Sequence, residues 1–325
     1  MTTRSLPLSS PLPSPLSSSL PLLRLLVLSL LCALTLGVAG CTASGTDRPT
    51  VVVTTNILGD ITRNIVGEEA DVTVLMRPGA DPHSFGVSAP QAASLERADL
   101  VVHNGLGLEE NVLRHVEAAK EAGVATLAVG ESLDPIAYTS GESADEPDPH
   151  FWTDPERVRQ AVGLIARQIV KHVHGVDRNA VEKNASAYGA KVAELSSWMR
   201  TTFDEIPERS RQLVTNHHVF GYLARRFGFR IVGAVIPSGT TLASPSASDL
   251  KSLATAVETA GVRAVFADSS QPDRLAQVLK QESRIDVDVV PLFSESLTEK
   301  GKGAATYLEM MRANTRSIST GLGTE

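Results

Sequence analysis

Residues 178–203 read RNAVEKNASAYGAKVAELSSWMRTTF, and their periodicity decides the architecture. The apolar residues Val181, Ala185, Tyr188, Val192, Leu195 and Met199 recur at alternating intervals of 4 and 3, with charges between them and no proline. That is the stripe of an α-helix with one buried face. At 1.5 Å per residue such a helix is about 39 Å long, more than one lobe needs. A long core helix of a single domain would give the same pattern. A rigid strut joining two lobes is the preferred reading.

Short β-branched runs alternate with helical segments on both sides of this stretch. Before it, Val51–Thr55, Asp71–Met76, Leu100–His103 and Val124–Val129 read as strands, with helices over 57–66, 90–98 and from the Thr153/Asp154 cap to about His174. After it, Gln212–Thr215, Phe229–Ile236, Arg263–Ala267 and Val287–Phe293 read as strands, with helices to Phe227 and over 246–259, 272–282 and 306–320. Such alternation predicts parallel sheets with helices on both faces. The expected fold is therefore α/β, two parallel-sheet lobes linked by one long helix, with lobes at 50–177 and 205–325 and the link at 178–204. Ligands of such sheets gather beyond the carboxyl ends of the strands.

Residues 1–40 stand apart from this pattern. Arg4 and Arg24, the apolar run Leu25–Leu31 and the small residues Val38-Ala39-Gly40 before Cys41 read as a secretory signal, the apolar stretch being too short for a comfortable membrane span. Small residues directly before a cysteine look like a bacterial lipobox, so Cys41 is expected to be acylated and to become the N-terminus. Residues 41–49 then form a tether, and the protein sits outside the cytoplasm, anchored to the cell membrane as a lipoprotein. Removing 1–40 takes away two arginines and no acid, leaving 28 basic and 37 acidic residues, a net charge of −9. That argues against nucleic acid and weakly favours cations. With Cys32 in the signal and Cys41 lipidated, a disulfide framework or a thiolate metal site is excluded.

One tripeptide occurs twice, as Asp81-Pro82-His83 and Asp148-Pro149-His150. In each copy the proline fixes its own φ and holds the preceding residue extended, so the imidazole leaves a rigid elbow suited to coordination. The carboxylate two positions back, or Asp154 beyond the second copy, is placed to fix the imidazole tautomer. His217 lies 67 residues after His150, as His150 does after His83, and Glu295 follows at another strand end. Three imidazoles and one carboxylate from four loops would fill the coordination of one Zn²⁺ or Mn²⁺ ion.

Over about 50–322 the chain resembles the metal-binding lipoproteins of bacterial zinc and manganese ABC importers. The resemblance rests on Arg77-Pro78-Gly79 with Asp81-Pro82-His83, Asn104-Gly105-Leu106-Gly107-Leu108-Glu109, Asp148-Pro149-His150 with Asp154-Pro155, Asn216-His217-His218-Val219-Phe220-Gly221-Tyr222, Leu292-Phe293-Ser294-Glu295-Ser296-Leu297 and Thr306-Tyr307-Leu308-Glu309-Met310-Met311. It places the family's four ligands on His83, His150, His217 and Glu295, and Asp268 on an acidic position outside the ligand set, read here as an outer partner. Two departures stand out. Glu295 occupies a position usually held by aspartate, and His218 one that is usually acidic or small, so the choice of His217 rests on alignment with Phe220-Gly221-Tyr222. The resemblance implies a monomer that captures metal for a permease and its ATPase, without catalysis. Metal choice divides: three nitrogens lean to zinc, whereas the carboxylate and the tail lean to manganese.

Two other functions compete. A secreted zinc hydrolase would need an open coordination position and a base, and both H-E-x-x-H and G-x-S-x-G are missing from the sequence. A lipid-anchored adhesin is compatible with the tether. Among the remaining histidines, His103 reads as a hydrogen-bonded core imidazole, His115 as a helix-face residue, and His172 and His174 as cations at a helix C-terminus. Trp152 and Trp198 read as packing residues.

Overall fold

The computed structural model describes residues 48–323. The expected signal, Cys41 and most of the tether lie outside the described residues.

The long helix is present as α5 (Arg178–Asp204), 27 residues that start where the Asp177 carboxylate accepts from the Asn179 N–H at 2.9 Å. Val181, Ala185, Tyr188, Val192, Leu195, Met199 and Phe203 form its buried stripe. Before it come β1 (Thr50–Val53), α1 (Asn56–Val66), β2 (Asp71–Val74), α2 (Ala89–Leu95), β3 (Leu100–His103), α3 (Glu110–Glu121), β4 (Ala125–Ala128) and α4 (Pro155–His172). After it come β5 (Gln212–Thr215), α6 (Gly221–Phe227), β6 (Arg230–Ala234), α7 (Ala247–Ala260), β7 (Ala264–Asp268), α8 (Arg274–Glu282), β8 (Asp288–Leu292) and α9 (Tyr307–Gly323). The strands form two parallel four-stranded sheets of identical order, β2-β1-β3-β4 and β6-β5-β7-β8.

Strand alternation explains how the two sheets share one interior. Val51, Val53, Leu100 and Val102 from the first sheet and Leu213, Ala264 and Phe266 from the second point into a common core with the buried faces of α1, α4, α5 and α9. Their neighbours point the other way. Val52 and Val101 pack with Leu95, Val112 and Val116, while Val214, Val265 and Ala267 pack with Leu253, Val257 and Leu279. The strut is thus bedded in the shared core rather than spanning solvent.

Expectation and structure differ at element ends. The first strand stops at Val53 because Thr55 turns away to cap α1, its hydroxyl accepting from Leu58 N–H at 3.4 Å. α3 was visible only as a helix face around His115, since its buried residues are just Val112, Val116 and Ala119.

Candidate metal centre

Four loops leave the carboxyl ends of the strands and meet at one point. In the first, the chain beyond β2 turns at Gly79, whose φ of 71° suits glycine and whose N–H donates to Leu297 O at 2.9 Å. The Asp81 carboxylate then accepts from the His83 N–H at 2.9 Å. In the second, beyond β4, Asp148 Oδ1 accepts from both the backbone N–H and the ring Nδ1 of His150, each at 2.8 Å. This loop is clamped from three sides. Asn104 Nδ2 donates to Pro149 O at 3.0 Å, the Tyr222 hydroxyl to Asp148 O at 2.9 Å, and Trp152 Nε1 to Ser294 O at 2.9 Å. In the third, beyond β5, the Thr215 hydroxyl donates to His217 O at 2.6 Å. The fourth, beyond β8, is tied to the first by Asn56, which accepts from Leu297 N–H at 2.9 Å and donates to Ser296 Oγ at 2.8 Å and Arg77 O at 3.2 Å.

These loops bring one ligand-type atom each from His83, His150, His217 and Glu295 within 4.8 Å of one another. Residue exposure is 1%, 0%, 0% and 1% respectively. His217 Nε2 lies 3.1 Å from Glu295 Oε1, His150 Nε2 lies 3.5 Å from the same oxygen, and His83 Nε2 lies 3.8 Å from Oε2. None of these approaches makes a hydrogen bond: both Glu295 oxygens, both ring nitrogens of His217 and Nδ1 of His83 are buried without a partner among the described residues. Unpaired buried groups of this kind cost about 1–3 kcal/mol each. Their convergence on one point is the signature of a polar site whose partner is not a protein group.

The electrostatics follow from burial. Desolvation lowers the pKa of His83 and His217 and takes His150 down to about 3, so the imidazoles stay neutral and keep a lone pair. The same effect pushes Glu295 and Asp148 up to about 7. The Nδ1 contact with Asp148 directs the His150 proton outward and turns Nε2 toward the cluster. The Tyr138 hydroxyl stands 3.2 Å from the same Nδ1 and donates to Gly239 O at 3.3 Å.

The outer carboxylates distribute differently from expectation. Asp81 meets the backbone of His83, not its ring, and its Oδ2 accepts from the Ser84 hydroxyl, Thr241 Oγ1 and Gln271 Nε2 at 3.0, 2.6 and 2.8 Å. Asp154 bonds no imidazole among the described residues. Its Oδ1 caps α4 by accepting from Glu156 N–H at 2.8 Å, a role the Asp-Pro pair already suggested. Asp268 accepts from the hydroxyls of Ser270 and Ser294 and so braces the Glu295 loop, while contributing a field at His217. The carboxylate that orients a ring is Asp148, legible in the Asp-Pro-His repeat but not singled out from its twin. Tyr138, Asn104 and Asn56 carried no spacing signal.

Of the adjacent histidines, His217 joins the cluster. His218 points elsewhere, toward the Tyr138 ring at 6.3 Å between centroids. The expectation of a hydrogen bond for His103 fails: buried at the end of β3, it lines a cavity of about 460 Å³ with Glu109, Glu117 and Glu131, and no hydrogen bond engages its ring among the described residues. Trp152 does more than pack, since its indole links the His150 and Glu295 loops.

Two similar parallel-sheet lobes on one long helix, with buried imidazoles and a carboxylate where the strand ends meet, define a two-lobed α/β binding protein. The model of the family described as zinc-uptake complex component A, periplasmic, matches residues 51–321, and the chain belongs to that family. It is 28% identical over 284 residues to the zinc-binding protein TroA of Treponema pallidum, covering 86% of this chain and 91% of that protein. It is 27% identical over 310 residues to the manganese ABC transporter substrate-binding lipoprotein PsaA of Streptococcus pneumoniae, covering 91% and 97%. The solved structure of TroA superposes with a TM-score of 0.78 at 27% identity, covering 85% of this chain and all of that one.

Proposed function

We propose that this protein is the metal-capturing component of an ABC importer, holding one Zn²⁺ or Mn²⁺ ion as cargo and delivering it to a permease driven by its ATPase. His83, His150, His217 and Glu295 are the ligands, with the imidazoles presenting Nε2. The observation that carries the reading is the set of buried atoms that find no partner among the described residues, His217 Nε2 and both Glu295 oxygens, in a cluster that spans only 4.8 Å. A divalent cation would satisfy all of them at once, and neutral imidazole with carboxylate is a donor set suited to zinc and acceptable to manganese. The names borne by relatives include both metals.

The reading is capture rather than catalysis. Four protein donors fill a tetrahedral set, whereas a metallohydrolase keeps a position for water. Lobes at 50–177 and 205–325 joined by 178–204 share one core, so release would come from small rearrangements rather than wide hinge opening. We place the protein outside the cytoplasm as a monomer, held to the membrane through acylated Cys41.

Titration of metal-free protein with Zn²⁺ and Mn²⁺, with elemental analysis of protein purified without added metal, tests this. One ion per chain, lost in His217→Ala but kept in His218→Ala, is the expected result. Equal affinity in the two variants would sink the ligand assignment.

A further inference from the structure

A cavity of about 250 Å³ lies between the start of α4 and α6, lined by Ile136, Asp154, Arg157, Tyr222, Arg225 and Arg226. Three arginines and a single acidic residue line it, in a chain whose net charge is −7. The carboxylate does not use up the arginines. Asp154 Oδ1 already accepts from Glu156 N–H and stands 3.6 Å from Arg226 Nε, which is buried without a hydrogen bond among the described residues. Another arm of Arg226 donates to Ser196 Oγ at 3.3 Å. Arg157 gives one arm to Leu133 O and lies 3.8 Å from Asp134, whose side chain is 98% exposed and therefore a weak partner. Glu156 is taken by Arg159, at 2.6 Å. Arg225 is exposed, and no hydrogen bond or ion pair engages it among the described residues.

Each guanidinium offers five donors in a planar fork that matches a carboxylate or phosphate. Donors left over from three arginines around one cavity are the arrangement that recognises an oxyanion. We propose that this cavity binds a phosphate group through Arg157, Arg225 and Arg226, with Asp154 holding Arg226 in place. The volume leaves room for the organic part that carries the anion. The site is also coupled to the metal centre by position. Tyr222, whose ring lies 5.8 Å from the Arg157 guanidinium carbon, donates to Asp148 O in the loop of His150.

A dissolved phosphate and the phosphate of a lipid headgroup share this chemistry, and two probes separate them. The chain from Thr42 onward, which lacks both the apolar 1–40 segment and the acylation site Cys41, is titrated with inorganic phosphate against sodium chloride at matched ionic strength. It is also floated with phosphatidylglycerol or phosphatidylcholine vesicles. Arg225→Glu and Arg157→Gln are run alongside, with circular dichroism melts as the folding control; Arg225 has no hydrogen-bond or ion-pair partner to lose among the described residues. Saturable phosphate binding, weakened about tenfold or more by Arg225→Glu, supports the site with a dissolved ligand. Flotation with phosphatidylglycerol alone, abolished by Arg225→Glu without a phosphate response, supports it with a lipid headgroup. No saturable response to either probe, or a response that both variants retain, overturns it. No metal enters these measurements, so they succeed or fail independently of the capture function.

Discussion

The same three residues, Asp-Pro-His, are used in two ways. In both copies the aspartate accepts from the N–H of the histidine two positions on, at 2.9 Å for Asp81 and 2.8 Å for Asp148. This local turn is what the tripeptide itself encodes. The ring contact, and for Asp81 the second oxygen, are where the copies part. Asp148 reaches Nδ1 of His150, whereas Asp81 turns outward to Thr241 and Gln271 from the other half of the chain and leaves His83 Nδ1 buried without a partner among the described residues. One copy orients an imidazole; the other ties the two halves together beside it. A motif fixes a backbone, and its surroundings decide what the side chain does.

The largest expected effects come from the rings themselves. His83→Ala and His150→Ala should each remove a ligand and lower zinc affinity by more than the roughly 10–100-fold that an outer partner costs, read by competition with a chromophoric chelator. His150→Ala should be the worse of the two, because it also strands Asp148, which is 1% exposed. A His83→Ala variant within about threefold of wild type would deny the first copy its role as a ligand, the threefold margin reflecting the scatter of mutational effects.

Next comes the comparison of the aspartates. Asp148→Ala should cost about 10–100-fold in affinity by freeing the His150 tautomer, while Asp148→Asn, which keeps an acceptor for Nδ1–H, should recover much of the loss. Asp81→Ala should show the reverse balance. It should cost little affinity but lower stability by about 1–3 kcal/mol in denaturant unfolding, because the donors of Thr241 and Gln271 lose a charged acceptor. Equal affinity losses for the two alanines would erase the distinction.

The fold was legible because its signals are local and repeated: the stripe from Val181 to Met199, the β-branched runs, and the proline and small-residue punctuation between them. The Asp-Pro-His pair was legible as a stiff local motif and His217 and Glu295 as polar residues after strand ends, whereas the choice of His217 over its neighbour His218 came only from the family resemblance. The supporting network was not. Asn56 joins residues more than 200 positions apart in the chain, and no periodicity marks an asparagine for that task. Asp81 and Asp148 are indistinguishable as sequence because the groups that separate their roles, Gln271 and the His150 ring, arrive only through tertiary packing. His103 misled because an apolar strand ordinarily ends in packed side chains, and this one ends at a cavity.

The titration of the site sharpens the comparison by pH. For ordinary solvent-exposed imidazole ligands the loss of metal affinity would fall near 6.5. Burial moves the controlling group: His150, taken down to about 3, does not compete for protons near neutrality, whereas Glu295, pushed up to about 7, does. Below about 7 the carboxylate holds a proton that the ion must displace, so affinity should fall by up to about tenfold per pH unit; above 7 it should level off. Asp148, also raised to about 7, adds to the fall in the second copy only. Isothermal titration across pH 5 to 8 should show the decline beginning near 7 in wild type and a shallower slope in Glu295→Gln. A flat profile between pH 5 and 7 would contradict the protonated carboxylate.

The smallest effect is expected at Asp154, the carboxylate that follows the second Asp-Pro-His and has no counterpart in the first. It caps α4 through Glu156 N–H, and its pKa is raised by burial, with the nearby Arg226 and Arg157 acting in the opposite direction. A cap of this kind contributes about 1 kcal/mol, with no direct path to the imidazole. Asp154→Ala should therefore lower stability by about that amount and leave zinc affinity unchanged, and Asp154→Asn, also a good cap, should restore most of the stability. Chemical denaturation of metal-free protein measures the first quantity and chelator competition the second. A tenfold affinity loss in Asp154→Ala would mean that the second copy is oriented from both ends of its loop, making the asymmetry between the two copies larger than Asp148 alone accounts for.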